Sequence, residues 1–141
     1  MDTLSRKKRS WNMSRIRSSN TTPERIVRSV LHELKYRFRL HGKKVFGNPD
    51  VILPKYNIAI FVHGCFWHRH KGCKYAYKPK TRVAFWNKKF RDNVKRDKKV
   101  AATLIKAGWN VIVIWEDETE DREGLKRILK SRLAGTQLRR V

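Results

Sequence analysis

The run Ile58-Ala59-Ile60-Phe61-Val62 constrains the fold more than any other stretch of the chain. It is a near-continuous apolar segment with no polar alternation, so both of its faces need apolar cover. A strand of this kind belongs inside a sheet that carries helices, not in a hairpin with one face in water. Asp50-Val51-Ile52-Leu53 reads as a strand before it, and Pro54-Lys55-Tyr56-Asn57 turns the chain between the two. With the turn centred near Tyr56 the strands pair antiparallel, and Asp50 lies opposite Phe61 or Val62.

Helices and further strands are available on either side. Thr22-Pro23-Glu24 has the chemistry of a helix start: a capping hydroxyl, a proline in the first turn, and a carboxylate near the positive end of the dipole. Ile26, Val27, Val30, Leu31 and Leu34 give that helix one apolar stripe. Phe38 to Leu40 reads as a short strand, and Gly47-Asn48-Pro49 as a turn. Arg82 to Ala107 is the longest helical segment. Phe90, Val94, Asp97, Ala101 and Leu104 recur along it at helical spacing, and Gly108 follows as its stop. Trp109 to Trp115 is rich in Val and Ile and reads as a central strand, and Arg122 to Leu133 as a final helix. The order predicts an α/β fold, a mixed central β-sheet flanked by helices.

The length of 141 residues fits residues 21–141 as a single domain behind a basic arm, residues 1–20. In that arm Arg6, Lys7, Lys8, Arg9, Arg15 and Arg17 sit among Ser and Asn, with Trp11, Met13 and Ile16 as its larger apolar side chains. The whole chain carries 35 Lys and Arg against 12 Asp and Glu, a net charge of +23. A charge of that size opposes compaction and implies an anionic partner. Nucleic acid fits best, because each neutralised phosphate releases a counterion; mere solubility asks for far less. The basic residues are spread along the chain and no apolar run reaches membrane-spanning length, which disfavours a membrane role. The N-terminus lacks the apolar stretch of a signal peptide, and two cysteines are too few for a disulfide scaffold, so a cytoplasmic setting is expected.

Four groups of residues carry chemistry. Asp50 would bring a carboxylate near the main-chain carbonyls that end the apolar strand, a donor set suited to Mg²⁺; it is equally a turn residue after Pro49. Asp97 lies on the apolar stripe of its helix, where a carboxylate needs a partner. That partner is either a histidine of the group His63, His68 and His70 or a nearby Lys or Arg. Cys65, His70 and Cys73 have ligand types and spacing that suit a structural Zn²⁺ but supply one ligand too few, and two free thiols or a local disulfide satisfy the same pattern. Phe66 and Trp67 stand among metal-capable residues, where core packing explains them poorly. In a basic protein such side chains stack on bases or wedge between them, and Trp86 either joins them or packs in the core.

These residues together resemble the very-short-patch repair (Vsr) endonucleases. The resemblance runs from Asn12-Met13 and Arg15 through Thr22-Pro23-Glu24, Gly47-Asn48-Pro49-Asp50 and His63-Gly64-Cys65-Phe66-Trp67-His68. It continues through Asn93-Val94-Lys95-Arg96-Asp97 to Trp115-Glu116. It implies a restriction-endonuclease-like fold of the PD-(D/E)xK superfamily, with Phe61 and His63 at the usual second carboxylate and lysine positions. It also implies a monomeric enzyme that nicks one strand beside the thymine of a T·G mismatch in double-stranded DNA, acts at the nucleoid, and cooperates with repair proteins of the MutL kind. By the same resemblance Asp50 and the Val62 main-chain carbonyl would hold Mg²⁺, and His68 would be the general base. Asp97 would support it, and His63 and Glu24 would complete the catalytic set. Phe66, Trp67 and Trp86 would wedge beside the mismatch, and the arm with Met13 and Arg15 would bind across the minor groove. The family's fourth zinc ligand is commonly a cysteine after the Trp-Glu pair. Here Asp117 stands there, and Lys71-Gly72 alters the local spacing, so Zn²⁺ would have a mixed ligand set.

Overall fold

The computed structural model describes residues 21–40 and 45–138; the basic arm, with Met13 and Arg15, lies outside the described residues. Helix α1 spans Thr22–Glu33. Its cap is Thr21, one residue earlier than the sequence suggests. The reciprocal capping box explains the shift: Thr21 Oγ1 accepts the Glu24 N–H at 3.4 Å, and Glu24 Oε2 accepts the Thr21 N–H at 2.9 Å.

Strands β1 (Arg39–Leu40), β2 (Val51–Leu53), β3 (Ile58–His63) and β4 (Asn110–Trp115) form one mixed sheet in that order. The first two pairings are antiparallel, and β3 pairs with β4 in parallel. The long helix α2 (Val83–Lys106) makes the crossover that a parallel pair requires. Arg82, placed in that helix by the sequence reading, instead precedes it with left-handed φ 51°. Helix α3 runs from Arg122 to Leu138, beyond the expected end at Leu133.

Parallel pairing sets two distinct sheet faces. Ile58, Ile60, Ile112 and Ile114 pack with Val27, Val30 and Leu31 of α1 and Leu125, Leu129 and Leu133 of α3 in one core. Such side chains each contribute roughly 1.5–3 kcal/mol when fully buried. The opposite face meets α2 and is not closed. Full burial of Ile58 to Val62 therefore holds only through Ile60; Phe61, Val62 and His63 are half-buried. Phe61, Val111 and Val113 instead line a cavity of about 870 Å³ between the sheet and α2. The expected apolar stripe of α2 also changes character. Its buried residues are Phe90, Asn93 and Leu104, and Asp97 turns toward the cavity.

The turn before β2 closes one side of this space. Gly47 has φ +81°, and a Cβ there would lie 2.4 Å from Val100 Cγ1 of α2. Backbone this close to the helix leaves room only for glycine.

Candidate active site

The β2–β3 hairpin is the first element of the site. Val51 pairs with Ile60, so one further step along the register sets Asp50 opposite Phe61. Asp50 stands just before β2, not within it as the sequence reading had it. There its Oδ2 accepts the Val62 N–H at 2.7 Å. Glu24, 4% exposed in the first turn of α1, lines the same cavity as Asp50, and its carboxyl acts on that of Asp50. Burial, with the Glu24 carboxyl beside it, holds the Asp50 acid well above the ordinary carboxylate range, against the Val62 N–H and the Arg28 charge.

The second element is the loop that follows β3. The His68 N–H bonds the Gly64 carbonyl at 3.1 Å and the His70 N–H bonds that of Cys65 at 3.1 Å, so the loop folds back on the strand end. This fold brings the His68 ring onto His63, with centroids 3.9 Å apart and planes 7° from parallel. His68 Nδ1 lies 2.5 Å from Asp97 Oδ2 on α2. The sequence left Asp97 open between a histidine and a basic partner; its partner is His68. Burial and the neighbouring His68 push His63 down to about 4, so it is a neutral imidazole at pH 7. Glu24, Asp50, Val62, His63, His68 and Asp97 all line the one cavity.

The aromatic residues form a cluster on the rim. Phe66 packs edge-on against Trp67, Trp86 and Phe90 at 5.2, 5.7 and 5.2 Å, and Trp86 lies 5.8 Å from Trp67. Phe66, Trp67 and Trp86 are each half-buried, and Phe66 and Trp67 reach the cavity. Trp86 thus packs within the cluster while keeping part of its surface in water.

Behind the loop a second group converges. One ligand-type atom from each of Cys65, His70, Cys73 and Asp117 lies within 4.8 Å of the others. Cys65 Sγ is 3.5 Å from His70 Nδ1 and 3.4 Å from Asp117 Oδ1. Burial pushes the Cys65 thiol up to about 12. Trp115 separates the two groups: its ring stacks on His70 at 4.2 Å and meets His63 edge-on at 5.3 Å.

Several contributors had no role assigned from sequence. Glu116 Oε1 accepts the Cys65 N–H at 2.9 Å and ties the loop to the end of β4. Asn93 Nδ2 donates to the Trp67 carbonyl at 3.3 Å, and its Oδ1 accepts from Arg96 at 2.5 Å. Asn93 stands one helical turn before Asp97 and Arg96 adjoins it, a spacing that by itself signals neither role.

The family model for the DNA mismatch endonuclease Vsr matches residues 1–74. The chain is 44% identical over 130 residues to the type II nicking enzyme V.XorIIP of Xanthomonas oryzae pv. oryzae, covering 92% of this chain and 95% of that one. It is 38% identical over 117 residues to the DNA mismatch endonuclease Vsr of Escherichia coli, covering 83% and 74%. Among solved structures it is similar to the catalytic domain of the homing endonuclease I-Bth0305I, with a TM-score of 0.58 and 27% identity over 83% of this chain and 98% of that one. The mixed sheet between helices is the restriction-endonuclease-like fold.

Proposed function

The chain belongs to the Vsr family of DNA endonucleases, and from that premise we propose that it nicks one strand of duplex DNA beside the thymine of a T·G mismatch in a Mg²⁺-dependent reaction. The observation that carries this reading is the meeting, in one cavity, of the Glu24–Asp50 carboxyl pair with a histidine held by Asp97.

The donor chemistry suits a hard divalent cation. Two facing carboxyls resist joint ionisation, and a cation beside them removes that penalty. Asp50 and the Val62 main-chain carbonyl would hold Mg²⁺, with Glu24 behind them. When bound, Mg²⁺ would offset the charge that develops on the phosphate and ease deprotonation of the attacking water. His68 has the task of accepting that proton. Its Nδ1 is committed to Asp97, which leaves Nε2 as the basic nitrogen. His63 stacks as a neutral ring on His68 and limits its rotation. Phe66, Trp67 and Trp86 have the size and placement to wedge into a base stack. A T·G wobble opens more easily than a paired step, so wedging there costs less. Met13 and Arg15 of the arm would contact the minor groove, and a cytoplasmic enzyme handing its nick to MutL-type proteins completes the reading.

Zn²⁺ at Cys65, His70, Cys73 and Asp117 is part of the same proposal. The four converging ligand atoms support it. Its task would be structural, pinning the loop that carries His68 to the end of β4. We expect about one Zn²⁺ per chain in protein freed of loose metal, and its loss with a lower Tm in Cys73→Ser. Metal analysis that finds no zinc in the wild-type chain would remove this site.

The function is tested with duplexes that differ only at one pair: T·G, T·A and other mismatches, each with Mg²⁺. Nicking confined to T·G is the expected result. The type II nicking enzymes among the relatives favour a second reading, a related nickase with a different site or structure preference. Equal nicking of T·G and T·A in one fixed sequence context would select it.

A further inference from the structure

Building on that function, the geometry points to Arg96 as the cavity's phosphate clamp, its guanidinium held in place by Asn93 and its free edge binding a phosphate of the strand being cut. In a chain of 35 Lys and Arg, Arg96 is the only one among the described residues that lines the cavity, against the acids Glu24, Asp50, Asp97 and Glu116. A DNA phosphate entering this space meets a wall of acids, and a bound cation addresses only the Asp50 side. Arg96 supplies a fixed positive charge beside Asp97.

The placement is built. Asn93 is 9% exposed, one helical turn before Arg96 on α2. Its Nδ2 donates to the Trp67 carbonyl, which fixes the amide the other way round for Arg96: Oδ1 accepts from Arg96 Nη2 at 2.5 Å. A flipped amide would set oxygen against oxygen and NH₂ against the guanidinium. One hydrogen of Nη2 is thereby used for orientation, and the other still makes a two-donor edge with its neighbouring nitrogen. Among the described residues Arg96 forms no ion pair within 4.0 Å. A planar fork with a free edge matches two phosphate oxygens, which an ammonium does not. The Trp67 carbonyl joins this clamp to the aromatic cluster, so wedging and phosphate capture share one rigid piece.

The test couples a side-chain change to a backbone change in DNA. Arg96→Met should slow single-turnover nicking of the T·G duplex with Mg²⁺ by roughly 10- to 100-fold, and Arg96→Lys should recover part of the loss. Phosphates around the nicked linkage are then replaced one at a time by neutral methylphosphonates, and affinity is measured with Ca²⁺. At one position the neutral linkage should weaken wild-type binding while costing Arg96→Met nothing further. A residue that only braces the Trp67 loop would lose affinity additively at every position, and that result overturns the clamp. Wild-type rate in Arg96→Met overturns it as well. If the wild-type chain binds DNA without nicking, the functional reading fails, and the binding cycle still decides the clamp.

Discussion

Asp50→Ala is expected to bind mismatched duplex with near wild-type affinity and to nick it at least about 10³-fold more slowly in saturating Mg²⁺. The separation of binding from cutting is the point. Asp50 lines the cavity, where its carboxyl accepts the Val62 N–H and stands beside the Glu24 carboxyl, and the Arg28 charge acts on it only as a lesser influence. Asn at this position keeps the shape and one acceptor for the Val62 N–H but removes the acid. In metal-free buffer Asp50→Asn should not lower Tm, since it relieves a facing carboxyl pair. A variant that folds, binds and cuts at the wild-type rate would detach Asp50 from catalysis.

His68→Ala is expected to cost roughly 10²- to 10⁴-fold in the nicking rate, with little change in affinity. The reason is geometric. Asp97 occupies Nδ1 at 2.5 Å and fixes which nitrogen is free, and the His63 ring lies flat on the other side. Asp97→Asn should cost less, roughly 10- to 100-fold, because it disturbs the orientation and basicity of His68 without removing it. A general base also leaves a signature that a structural residue does not: free imidazole should restore part of the rate to His68→Ala. Absence of rescue, with the fold intact, would point to a packing role.

The hairpin was readable from its residues alone. The apolar run, the proline turn and period-two geometry put Asp50 opposite Phe61 or Val62, and the observed register narrows this to Phe61. The Asp97 stripe position also carried information, since a carboxylate at that spacing demanded a partner. What the stripe could not tell was which side of α2 would be covered. Helical periodicity reports that one face is special, not whether a sheet or a cavity lies opposite; Asp97 turned out to face the cavity. The Thr21 cap was missed because two adjacent threonines offer the same hydroxyl, and only the partner at Glu24 decides between them. Asn93 and Arg96 stayed silent for a different reason. Their roles depend on a carbonyl, Trp67, that lies far away in sequence and reaches them only through the loop after β3. Asp117 could be aligned with a ligand position from sequence, but its approach to Cys65 needed the parallel pairing of β3 and β4.

The cavity is expected to cut one strand at one linkage defined by the mismatch. Duplex labelled on each strand in turn, carrying a single T·G pair, is incubated with the full chain and Mg²⁺, and the products are resolved at single-nucleotide resolution. One Mg²⁺-dependent nick on the thymine strand, at the phosphodiester next to that thymine, and an intact guanine strand are the expected result. A nick whose position stays fixed when the mismatch is moved, or breaks in both strands, would contradict it.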